Sequence, residues 1–304
     1  MSNNKCDIET IEELKCAPGV DYKDGTCFNI NQLIKIKDLY NDKNPDNKIN
    51  NFKDKKDLLK SLIKKLKEVY NCDNEQCWVD KIGFIKKNYD IRNFVFRPKG
   101  PINTIKWLST TDIDKSLKQY EKKFNNFFYL GTLPNDFKHI DYYGIWNFDF
   151  KRKQKKGIYK FGSVINLDNH DESGSHWVSL FFNLKEKKIY FFDSFAKKPN
   201  KKISEFIKKI SLMMDNNTSK IFKNYNMKKK YYLDSEYIND LKTSNCNIDY
   251  KYNNIRHQFK NSECGVYSMN FIIRLLNGES FDNITENITK DDEMNSCRNT
   301  YFRI

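Results

Sequence analysis

The chain reads as an α+β protein, strands mixed with helices around one core, preceded by a small helical module. Three observations predict this. Before about residue 95, apolar residues recur at helical spacing and the rest is Lys-rich. Between residues 158 and 193 the pattern switches to short aromatic and β-branched runs bounded by polar turns. Residues 92–102, RNFVFRPKGPI, carry two prolines and a glycine between the two patterns. The expected division is therefore 1–95, an accessory module, and 96–304. Hydrophobic content of 38% with 15% aromatics supports a real core and excludes wholesale disorder.

Taken in order, Ile30, Leu33, Ile34, Ile36 and Leu39 fit a short helix, and a polar loop with Pro45 follows. Leu58, Leu59, Leu62, Ile63, Leu66 and Val69 form one apolar face of a second helix whose other face is lysine. Residues 113–128 are expected as a helix, 158–167 and 176–184 as strands, and 189–193 as a third strand after a turn at Lys185–Lys188. Ile203, Phe206, Ile207, Ile210 and Met213 share one helical face. Residues 215–250 give no clear pattern. Residues 264–276 are apolar at helical spacing and stop at Gly278, a C-cap signal.

A net charge of +14 is compatible with an anionic partner, nucleic acid included, and equally with a solvated lysine surface. Two stretches could meet phosphates: Lys53, Lys55, Lys56, Lys60, Lys64, Lys65 and Lys67 on or beside the second helix, and the expected loop 151–156, KRKQKK. No apolar run is long enough to span a bilayer, and the first residues lack the apolar core of a secretion signal. A cytoplasmic, reducing setting with mostly free thiols is therefore expected for the eight cysteines. Cys16, Cys27, Cys72 and Cys77 could in principle hold zinc. Their spacing is looser than paired CxxC sites, and buried free thiols are the preferred reading, with no metal expected.

Cys264 stands where the polar run Asn261-Ser262-Glu263 gives way to an apolar helix. A helix N-terminus favours an anion, and Gly265 leaves room for an incoming carbonyl. The ordinary alternative is an inert buried thiol. His176 opens one aromatic strand and Asp193 ends the next, so a hairpin brings a base and an orienting carboxylate to its open end. The simplest register sets Asp193 opposite Leu180, which calls for a bulge or a strong twist. His139, His170 and His257 are the rival histidines, with His170 in a polar, solvent-facing loop.

Three segments carry a specific resemblance: His176-Trp177-Val178-Ser179-Leu180, Tyr190-Phe191-Phe192-Asp193-Ser194, and His257-Gln258 with Ser262-Glu263-Cys264-Gly265-Val266-Tyr267. The order His, Asp, Gln, Cys resembles the ubiquitin-like-protein proteases, which include SUMO proteases and adenovirus-type (adenain) enzymes. The segments Val164–His170 and Phe128–Phe137 look most like the giant-DNA-virus branch. The resemblance implies a central mixed sheet flanked by helices and a cysteine peptidase. In it His176 is the base, Asp193 its orienter, Cys264 the nucleophile and Gln258 the oxyanion donor. Trp107 and Trp177 would cover a narrow channel for a glycine-containing protein substrate. It further implies a maturation endopeptidase for viral core precursors, acting in host cytoplasm or virion, with a modifier isopeptidase as the alternative. No cofactor is required, although adenovirus-type relatives use DNA. A nucleic-acid-binding virion protein on a protease fold is the non-enzyme alternative.

Overall fold

The computed structural model describes Cys6 and residues 16–214 and 248–304. The chain divides into two compact units, Ile8–Gly100 with Tyr301–Ile304, and Met1–Asp7 with Pro101–Thr300.

The N-terminal unit is helical among its described residues. Helix α1 (Ile30–Lys43) starts from Asn29, whose side chain and that of Gln32 cap each other's backbone. Helix α2 (Lys55–Tyr70) starts from Asp54 and ends at Asn71 in the left-handed region. Short helices follow at Glu75–Lys81 (α3), Gly83–Lys86 (α4) and Tyr89–Phe94 (α5). Leu33, Ile36, Tyr40, Leu58, Leu62, Leu66 and Trp78 fill the core. Ile34 and Val69, which the apolar spacing placed inside, lie outside it, each more than a third exposed. Residues Arg303 and Asp80 form a two-pronged ion pair, with Nη1 and Nη2 at 3.0 and 2.7 Å from the carboxylate oxygens.

In the second unit Ser109 and Asp112 cap α6 (Thr110–Lys123) reciprocally. Strand β1 (Phe127–Leu133) follows, then the short helix α7 (Phe150–Gln154), β2 (Lys160–Asn166), β3 (Trp177–Asn183) and β4 (Lys188–Phe192). Helix α8 (Lys201–Met214), β5 (Asp249–Tyr252) and α9 (Cys264–Leu276) come next. Helices α10 (Phe281–Glu286) and α11 (Asp291–Ser296) follow them. The sheet order is β1-β2-β3-β4-β5, parallel at both edges and antiparallel at the centre. Every residue of β3 is buried, because both faces of the sheet are covered. Ile203, Phe206, Ile207 and Ile210 of α8 join Leu180, Phe182, Ile189 and Phe191 in one apolar layer. In contact with the other face, Phe271 of α9 stacks on Phe192 with centroids 4.9 Å apart. Helix α9 is buried along its whole length and stops where Gly278 turns left-handed at φ +93°.

Several expectations need correction. Residues 113–128 are not one helix: α6 stops at Lys123, and Phe127 and Phe128 open a strand. Leu117, Tyr120, Phe124, Phe127 and Phe128 keep a helical spacing across that break, which hides it. The basic run at 151–156 begins as α7, not as a loop. Lys153 in it lies over the Phe128 ring at 3.5 Å. The patternless segment 215–250 lies outside the described residues except at its end, where β5 begins.

The thiol expectation is overturned more broadly. Cys6 pairs with Cys297, Cys16 with Cys27 and Cys72 with Cys77, at Cα separations of 5.3, 5.4 and 5.4 Å. Four of these are the cysteines considered for zinc, and a disulfide sulfur offers no thiolate to a metal. Spacing alone could not give the pairing, since it is set by the three-dimensional path of the chain. Cys264 is a buried free thiol. No helix among the described residues is long and apolar enough to cross a membrane.

Candidate active site

Three element ends converge. His176 sits just before β3, Asp193 just after β4, and Cys264 is the first residue of α9. Strands β3 and β4 pair regularly from Asn183 with Lys188 to Ser179 with Phe192. One further step sets Asp193 across from Val178, diagonal to His176 and within side-chain reach. The expected register was two residues off, and no bulge is needed. The cause is Asn183, whose side chain accepts the N–H groups of Lys185 and Glu186 and draws the turn back onto residues 184–187.

His176 Nε2 lies 2.7 Å from Asp193 Oδ1, and both residues are buried. Asp193 is itself held. Its N–H donates to Asn253 Oδ1 at 2.9 Å, its carbonyl accepts from Asn253 Nδ2 at 2.7 Å, and its Oδ1 also accepts from the Phe195 N–H. Phe195 then stacks on the imidazole, centroids 4.5 Å apart and planes 11° from parallel. The ring also lies near Cys264, which acts on its titration. Burial disfavours the imidazolium, but the contacts to Asp193 and Cys264 outweigh it and push the His176 pKa up to about 9. At neutral pH the ring is therefore a cation held beside the Cys264 sulfur.

Gln258 is fully buried. Its Oε1 accepts from Ser194 Oγ at 2.6 Å, and its Nε2 donates to the Lys260 carbonyl at 2.7 Å, leaving one amide proton over. The backbone N–H groups of His257 and Gln258 both donate to the Ser194 carbonyl. Ser194 thus fixes both the amide and the backbone that carries it. Glu263, which precedes α9, places no side-chain cap on it, so the first-turn N–H groups face outward uncapped.

The tryptophans differ. Trp177 is buried and its Nε1 donates to the Leu108 carbonyl at 3.0 Å, whereas Trp107 is 47% exposed and so is not a core residue. Both line a cavity of about 470 Å³ together with Leu108, Thr132, Pro134 and His170. A Cβ on Gly265 would lie 3.1 Å from Leu108 Cβ and 3.2 Å from Trp177 Cδ1. A side chain there would force Leu108 or the indole to shift.

The rival histidines are accounted for. His257 is buried against Phe192 with Nε2 on the Thr285 carbonyl, a packing role. His170 is half exposed, with Nδ1 2.7 Å from Asp136. Asp136, His170 and Asp171 could approach one ion, but both Asp136 oxygens already bond His170. His139 is exposed. Ser194, Asn253, Phe195 and Arg298 were not singled out from the sequence. Arg298 is fully buried and donates to the Ser262 carbonyl at 3.1 Å, two residues before Cys264. Burial lowers its pKa, and attraction from Glu263, Cys264 and Asp112 opposes this. No local motif flags Arg298. By contrast Ser194 sits inside the quoted Tyr190–Ser194 segment.

A family model described as the Ulp1 protease family, C-terminal catalytic domain, matches residues 164–303. A thiol protease of Acanthamoeba polyphaga mimivirus is 34% identical over 307 residues, covering 95% of this chain and 93% of that protein. The chain belongs to the Ulp1 protease family. It is a cysteine peptidase, which disposes of the non-enzyme alternative. A protein of African swine fever virus named a SUMO-1 cysteine protease is 24% identical over 273 residues, covering 81% of this chain and 88% of its own. Among solved structures, a crystal structure of the African swine fever virus protease matches with a TM-score of 0.59 at 24% identity, over 84% of this chain and 94% of that one. A selenomethionine crystal form matches at 0.62 and 20%, over 99% and 98%. These likenesses agree with the mixed sheet flanked by helices described above.

Proposed function

We propose that this Ulp1-family protease is an endopeptidase that cuts after glycine, with Cys264 as nucleophile, His176 as acid and base, Asp193 as its orienter and Gln258 as oxyanion donor. The observation that carries the reading is the His176–Asp193 couple at 2.7 Å, with Cys264 beside the ring and Trp177 next in the chain. In the proposed reaction the thiolate attacks the glycine carbonyl carbon. The spare Gln258 amide proton and the first N–H groups of α9 steady the oxyanion. His176 gives its proton to the leaving amine, and water then hydrolyses the thioester, with His176 as base.

The close packing of Gly265, next to Cys264, against Leu108 and Trp177 supports glycine specificity, since a crowded neighbourhood favours an unbranched substrate backbone. Viral relatives favour structural precursors as substrates, cut in host cytoplasm or virion. The name of the African swine fever virus relative favours a second reading, removal of a ubiquitin-like modifier. Incubation with Gly-Gly-X and Ala-Gly-X peptides, and in parallel with SUMO- and ubiquitin-ended probes, separates the two. Cleavage of the peptides by wild type and none by Cys264→Ala is the expected result. Cleavage of peptides lacking glycine at equal rates would overturn the specificity. The lysine faces are read as solvated, so added DNA should leave peptide rates unchanged between low and moderate salt.

A further inference from the structure

The imidazole of His176 opens a stack that continues to the surface. Phe195 lies on the ring at 4.5 Å, the guanidinium of Arg256 lies over Phe195 at 4.9 Å, and Phe259 covers it at 5.0 Å. Phe259 is 67% exposed, so its ring carries the stack out to solvent. Arg256 donates through Nε to the Gln258 carbonyl at 2.6 Å. Its plane is thereby fixed by two aromatic faces and one hydrogen bond, and its outer Nη edge is left toward solvent.

We infer that Arg256, framed by Phe195 and Phe259, binds an acidic side chain of the substrate two or three residues after the scissile bond. The inference rests on the proposed roles of His176 and Gln258. His176 delivers the proton to the leaving amine, so the departing segment passes along the imidazole and the ring stacked on it. The two centroid distances place the guanidinium within roughly 9.5 Å of the imidazole, and an extended chain covers about 3.3–3.6 Å per residue. That reach selects the second or third residue of the leaving segment. The surrounding charge points the same way. Lys197 and Lys198 follow Phe195 and are exposed. Of the nearby carboxylates, Asp291 is taken up by the N–H groups of Phe259 and Lys260 and by Tyr267, and Asp292 by Lys260. The loop on the cavity side carries Asp168, Asp171 and Glu172 instead. A planar guanidinium held flat pairs with a carboxylate through two hydrogen bonds, while the exposed Phe259 covers the residue's apolar stem.

The test uses the full chain and paired peptides that share one glycine cleavage site and carry Asp or Lys at the second or third position after it. Wild type should favour Asp by about tenfold in kcat/KM, mainly through KM, and the preference should shrink as salt rises. Arg256→Glu should reverse the order, favouring Lys. Should that variant not fold, Arg256→Gln should bring the two peptides to equal kcat/KM. Equal rates for both peptides in wild type, or an Asp preference kept by Arg256→Gln, would overturn the inference and reduce Arg256 to a clamp on Gln258. Failure of wild type to cut any glycine peptide would instead overturn the proposed function beneath it.

Discussion

At the centre of the N-terminal unit, Trp78 is fully buried against Phe28 among short helices, and the disulfides Cys16–Cys27 and Cys72–Cys77 cross-link the surrounding chain. At the centre of the catalytic unit lies β3, buried on both faces, with α8 and α9 packed over a five-stranded sheet. The sheet gives the second unit enough apolar layer to bury polar groups at its edge: His176, Asp193, Asn253, Gln258 and Arg298 are all nine-tenths buried and hydrogen-bonded. A small unit, helical among its described residues, has less to spare, and two of the three disulfides supply part of its stability, while Cys6–Cys297 lies in the catalytic unit. Chemistry and the Cys16–Cys27 and Cys72–Cys77 cross-links are thus expected to be separable.

The largest effect that would sharpen this contrast is Cys264→Ala. Peptide turnover should vanish while calorimetry shows both unfolding transitions in place, because a small buried side chain is replaced by a smaller one. Next, Asp193→Asn should cost roughly 10²–10⁴ in kcat. It should also move the alkaline limb of kcat/KM below pH 9, since Asp193 helps hold the His176 pKa up at about 9. With the folded pKa raised, the stability that His176 contributes is complete below its ordinary value near 6.5 and is lost as pH rises through about 9. A limb that stays put would break the assignment of that limb to the pair.

Gln258→Ala should lower kcat by about 10²–10³. Ser194→Ala, which only unlocks the amide, should cost on the order of tenfold by the same steady-state assay. In the other unit, replacing Cys16 and Cys27 together by Ser should lower stability by about 3 kcal/mol and leave peptide kcat/KM unchanged. A parallel loss of activity would refute the separation. Smallest is Glu75→Gln. Burial pushes the Glu75 pKa up to about 7, against the hydrogen bonds from Thr26 and Cys27 and the charge of Lys55. A raised carboxyl pKa favours folding at low pH and weakens it as pH rises through about 7. Gln should therefore stabilise this unit by about 1–2 kcal/mol at pH 8 and by nothing at pH 5, measured by denaturant unfolding at each pH.

What the sequence disclosed follows the range of the forces involved. Helices α2, α8 and α9 and strands β2 to β4 were legible because their apolar period is local. Strand β1 was not, since Phe124, Phe127 and Phe128 extend the period of α6 by coincidence. Asn183 shows how one side chain in a turn shifts a register by two residues without altering either strand's pattern. His176, Asp193, Gln258 and Cys264 were readable through spaced motifs, and the structure brings His176 onto both Asp193 and Cys264. Asn253 and Arg298 act through bonds to backbone atoms of Asp193 and Ser262, so neither needs a neighbour in sequence that would mark it. The disulfide pairing was illegible for the same reason.

The contacts that close the site span long stretches of chain. Leu108 and Trp177 are 69 residues apart, Ser194 and Gln258 64, and Ser262 and Arg298 36. Such contacts form late in folding, after the loops between them have closed. A nascent chain can complete the hairpin that carries His176 and Asp193 well before Cys264 leaves the ribosome. Even then, the support of Arg298 for the loop before Cys264 waits on residues made later still. A protease assembled in this order stays inert through most of its own synthesis, because Cys264 and the residues that support its loop are made last.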